Sequence, residues 1–102
     1  MNTMLNHIDH FARTVGWQHV AIATDWPLGR PKWVLEEYES WLSTSGFRPE
    51  HGVVPTQNLI GFDDYRDFPN ITRGLVARGY TDEQIRGILG ENFLRVFETV
   101  CG

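Results

Sequence analysis

The sequence predicts an α/β fold that is mostly helix around one buried strand, and three observations carry that expectation. Apolar residues recur at helical spacing from Asn2 to Val15 and again in the second half of the chain. The run His19-Val20-Ala21-Ile22-Ala23-Thr24 is small and β-branched with almost no polar interruption, the pattern of a strand covered on both faces. Gly16 stands between the first helix and that run, so helix, glycine and strand make half of an α/β repeat.

The elements follow in order. Met4, Leu5, Ile8, Phe11 and Val15 form one stripe of the first helix. The strand ends at Asp25, because Pro27, Gly29 and Pro31 deny a ladder its donors and favour turns. Lys32 to Leu42 supports a helix with Val34, Leu35, Tyr38, Trp41 and Leu42 on its apolar side and Gly46 beyond its end. Phe47 to Phe62 is expected to be irregular, broken by Pro49, Gly52, Pro55 and Gly61. Pro69 suits the first turn of a helix that runs through Ile71, Leu75 and Val76 and stops at Gly79. Thr81-Asp82-Glu83-Gln84 is a capping box opening the next helix, which carries Ile85, Ile88 and Leu89, is interrupted near Gly90, and resumes from Asn92 with Phe93, Val96, Phe97 and Val100 as its apolar face. A lone strand cannot satisfy its own edges, so its neighbours are expected from another chain or from sequence beyond these residues.

Composition bounds the function classes. The 102 residues, 41% hydrophobic and 22% charged, suit a single domain with a packed core, here a partial one. A net charge of −4 supplies no basic field, which argues against nucleic acid and anionic membrane as partners. No apolar run reaches the roughly 18 residues of a membrane span, and Met1 to His10 lacks the pattern of an export signal. The single cysteine, Cys101, allows no internal disulfide, so a reducing, cytoplasmic setting is expected, with Cys101 as a small apolar filler.

Two stretches carry a resemblance. His7-Ile8-Asp9-His10 followed by Val15 to Asp25, and then Phe68-Pro69-Asn70-Ile71-Thr72, Arg78 to Ile85 and Ile88 to Phe97, resemble the closing part of the membrane dipeptidase family of zinc peptidases, within the amidohydrolase superfamily. The tail is the most specific part, and Ser43 to Asn58 the weakest. The resemblance implies the C-terminal segment of a (β/α)8 barrel that hydrolyses dipeptides with two zinc ions. A complete barrel needs about 200–250 residues or more, so these residues would supply its seventh helix, eighth strand, eighth helix and C-terminal extension.

The same resemblance matches Asp25 to the aspartate ending the family's eighth strand, where a carboxylate hydrogen-bonds zinc-bound water and shuttles its proton to the leaving amine. Spacing alone leaves open that Asp25 merely caps a turn. Trp26 is the adjacent candidate for substrate contact, whereas Trp33 and Trp41 read as helix core. Pro27 and Leu28 depart from the aspartate and glycine that many family members carry there. Arg30 and Lys32 could meet a substrate carboxylate or simply be solvated charges. His7-Ile8-Asp9 imitates a His-x-Asp metal motif, but it lies inside a helical pattern that points His7 and Asp9 to different faces, and His19 reads as structural. The family's remaining zinc ligands have no counterpart, so zinc is expected in the complete enzyme and not on this chain alone. A non-catalytic fragment that assembles with a complementary chain or with itself is the alternative.

Overall fold

The computed structural model describes residues 1–24, 32–53 and 59–102. They belong to two units, residues 1–24 with 59–102, and a smaller one within 25–58.

In the larger unit, α1 (Asn2–Val15) turns Leu5 and Ile8 inward and ends at Gly16. It crosses α3 (Phe68–Ala77), which has Pro69 in its first turn and whose Ile71 and Leu75 are fully buried. Gly74 permits the crossing: a Cβ there would lie 2.5 Å from Leu5 Cδ1, so the Leu5 side chain occupies space that any larger residue would claim. Phe11 and Val15, expected on the buried stripe, are exposed, because the contact with α3 covers only the first half of α1.

Aromatic packing builds the corner before α3. Phe62 is buried with its ring edge-on to Phe68 at 5.3 Å, and Tyr65 stacks on Phe68 at 6.1 Å. Asn70 Nδ2 donates to the Gly61 carbonyl at 2.8 Å and ties the helix to that corner. Beyond α3 the capping box forms as expected: Gln84 N donates to Thr81 Oγ1 at 3.2 Å, and Thr81 N to Gln84 Oε1 at 2.9 Å.

The expected interruption near Gly90 takes another form. Helix α4 (Asp82–Arg86) passes through one π-helical stretch, Gly87–Glu91, directly into α5 (Asn92–Cys101), with no break in the chain's helical course. The widened turn accommodates an extra residue and brings Gly87 and Ile88 inward. A Cβ on Gly87 would sit 2.5 Å from Trp17 Cζ3, so the indole fills the place of the absent side chain.

The buried strand is the main correction to the sequence reading. Trp17–His19 is a 3₁₀ turn, and residues 20–24 are not assigned to a strand; among the described residues there is no strand, only an isolated bridge between Leu59 and Phe62. Val20 is buried and extended, at φ −99° and ψ 133°, but a ladder requires a second strand and the described residues provide none. His19 is exposed at the end of the turn and has no strand to open.

In the smaller unit, α2 (Lys32–Thr44) closes with Phe47 N donating to the Leu42 carbonyl at 3.0 Å, around Gly46 at φ 89°. Leu42 is buried. Trp41, expected in the helix core, is exposed and leans on Tyr38 with ring centroids 5.5 Å apart, because two residues three apart on a helix meet on its surface as readily as inside. A 3₁₀ turn, Pro49–His51, follows, with His51 Nδ1 accepting from Arg48 N at 3.0 Å.

Candidate functional site

Asp25, Trp26, Pro27, Leu28 and Arg30 lie outside the described residues, as do the side chains of Lys32 and Trp33. What the structure describes is the segment leading into Asp25, and α5 holds it by its backbone. Asn92 Nδ2 donates to the carbonyls of Trp17 at 2.7 Å and Val20 at 2.9 Å. One turn along, Arg95 Nη2 donates to the Gln18 carbonyl at 2.7 Å. Asn92 is only 5% exposed, so its amide replaces in a dry environment the partners that a neighbouring strand would have offered those carbonyls.

A second polar group lies where α1 meets the end of α3. The Asp9 carboxylate accepts from an Arg78 guanidinium N–H and from the Tyr80 hydroxyl, the latter at 2.7 Å. Burial by itself would raise the Asp9 carboxyl, but the bonds from Tyr80 and Arg78 and the positive charges of Arg78 and Arg13 outweigh it and hold it below the usual carboxylate range. Burial, then the bond to Asp9 and its negative charge, push the Tyr80 phenol up to about 12, so it remains a neutral donor at physiological pH. These residues line an open, polar cleft of about 410 Å³ together with Ala12, Trp17 and Gln84. An aspartate so engaged stays ionised and partnered, which suits a clasp between helices better than a proton-transfer group.

The His-x-Asp triplet therefore has a structural use. His7 and His10 are exposed while Asp9 is turned toward Arg78, as helical geometry requires. Among the described residues no group of three or more His, Cys, Asp or Glu could hold a metal ion. Cys101 is exposed, not a filler, because the last turn of α5 has nothing packed over it among the described residues. The same helix exposes Phe93, Val96, Phe97 and Val100. An open apolar groove of about 700 Å³ lies between α3 and the π-helical stretch, lined by Phe68, Pro69, Val76, Ala77 and Leu89 with Thr72 and Arg73.

Sequence reasoning missed Asn92, Arg95, Arg78 and Tyr80 as partners of the N-terminal segment. Asn92 offered one signal: an amide at the start of an apolar stripe, immediately after Gly90-Glu91, where neither capping nor solvent exposure accounts for it.

The model of a family described as membrane dipeptidase (peptidase family M19) matches residues 54–101. The chain is 26% identical over 100 residues to a dipeptidase, verJ, of Clonostachys rogersoniana, a match covering 98% of this chain and 19% of that protein. It is 28% identical over 97 residues to a dipeptidase, ataJ, of Aspergillus terreus, covering 95% of this chain and 17% of that protein. The chain thus spans less than a fifth of the length of these curated relatives. No solved structure matches it.

Proposed function

The resemblance to the C-terminal part of the membrane dipeptidase family holds, and from that premise we propose that these residues are one partial domain of a zinc-dependent dipeptidase, the closing segment of a (β/α)8 barrel. The observation that carries this reading is the match to two fungal dipeptidases over nearly the whole of this chain. The substrate is a dipeptide and the bond cleaved is its amide. The described residues do not fit a zinc site, since Asp9 is committed to Arg78 and Tyr80 and no ligand cluster forms among them. In this reading the zinc ligands come from outside the described residues.

This chain's own chemical contribution is Asp25. Its carboxylate takes the proton from the attacking water and returns it to the leaving amine, one group acting as base and then as acid. Trp26, adjacent in sequence, is the candidate for substrate contact. The exposed thiol of Cys101 fits the reducing cytoplasm that the reading includes. Asp25→Asn in the complete enzyme tests the assignment: dipeptide turnover should fall by roughly 10²–10⁴-fold, the contribution typical of a general acid–base group, and near-native turnover would refute it.

One observation favours a second reading, a non-catalytic fragment completed by another chain. The α5 stripe from Phe93 to Val100 is exposed, which suits a face awaiting a cover. A zinc-free chain that remains monomeric and melts cooperatively would count against it.

A further inference from the structure

We propose that Asn92 is a positioning residue whose side-chain amide sets the course of the segment that delivers Asp25. The amide has two N–H donors, and both of its bonds run to carbonyls of one segment, Trp17 at 2.7 Å and Val20 at 2.9 Å. Fixing two points three residues apart sets direction as well as place, which a single bond cannot do. Arg95 adds a third attachment at the Gln18 carbonyl, 2.7 Å away, from the same helix. The amide is buried and packed beside Gly87, whose missing Cβ would lie 3.0 Å from Asn92 Oδ1 and 2.5 Å from the Trp17 ring. The fork and the indole are thus held by one piece of chain, Gly87 to Arg95. Four residues, Ala21 to Thr24, separate the last anchored carbonyl from Asp25, and Ile22 and Thr24 are half-buried while Ala21 and Ala23 are exposed. The relevance of this tether to turnover rests on the proposed role of Asp25. The tether itself does not.

Nuclear magnetic resonance on the 102-residue chain tests the tether without catalysis. Asn92→Asp keeps the size of the side chain and removes both donations; Arg95→Ala removes only the exposed third bond and is the variant that decides if Asn92→Asp fails to fold. The backbone order parameter at Ile22, the described residue two beyond the last anchored carbonyl, should be about 0.85 in the native chain and fall below about 0.6 in Asn92→Asp. Arg95→Ala should produce a smaller fall, and amide exchange protection at Leu75 should be unchanged in both. An Ile22 amide already mobile in the native chain, or one equally ordered in every folded variant, overturns the proposal. In the complete enzyme, Asn92→Asp should lower kcat by about ten- to a hundredfold with KM nearly constant, the signature of a misplaced reacting group. Unchanged kcat alongside lost order at Ile22 also overturns the positioning role. If Asp25→Asn keeps full turnover, the catalytic reading fails, and the order measurements still decide the tether.

Discussion

Helices α3 and α5 have the same length and comparably clear apolar stripes, yet their fates differ. Ile71 and Leu75 of α3 are fully buried beneath α1, whereas Phe93, Phe97 and Val100 of α5 are 65%, 55% and 76% exposed and the residue α5 buries is Asn92. Periodicity determines which residues share a face. It does not determine whether anything covers that face, and in α5 the side chain committed to the interior is a polar one aimed at backbone carbonyls.

The contrast predicts a graded set of stability effects. Leu75→Ala should cost about 2–5 kcal/mol in urea unfolding, as for other large-to-small changes in a closed core; a much smaller loss would mean that the α1–α3 contact is not the stable centre. Gly87→Ala should cost about 1–3 kcal/mol, because the new methyl group meets the Trp17 ring, and indole fluorescence should report the displacement.

Tyr80→Phe should cost about 1 kcal/mol near neutrality, since Arg78 still partners Asp9. Its pH dependence is more informative. The fold favours ionised Asp9, so that contribution is complete above the ordinary carboxyl value of 3.8 and is lost as pH falls below it. The fold favours neutral Tyr80, so its share is present below 10.0 and is lost as pH rises toward about 12. Melting temperature should therefore decline at both extremes, and Tyr80→Phe should remove its own alkaline share while also softening the acid decline, because the Tyr80 bond helps to lower Asp9. The smallest effect is expected at Phe97→Ser, within about 0.5 kcal/mol for an uncovered surface position. A large loss there would show that the stripe is covered in solution, and would make α5 resemble α3.

Much of the helical plan is legible in the sequence because its signals are local. The α1 limits, the first-turn Pro69 and the Thr81–Gln84 capping box depend on neighbouring residues only, and all are present. The run from His19 to Thr24 was legible as apolar, but that it forms no strand among the described residues was not, since a ladder depends on residues distant in sequence. Gly87 was illegible for the same reason, and the Asn92 amide, odd within its stripe, could not name its partners, because Trp17 and Val20 lie more than 65 residues away. The family likeness pointed to Asp25, and the residues that secure the approach to it became visible only in three dimensions.

The π-helical stretch from Gly87 to Glu91 acts as a phase setter. One additional residue in a helix turns everything after it by about 100°. Wound regularly, the same residues would swing the α5 fork away from its two carbonyls; the widened turn takes up the extra residue and keeps the fork in phase. That one widened turn therefore lets a single continuous rod bury Ile85 and Ile88 and, further along, present hydrogen-bond donors to the opposite end of the chain.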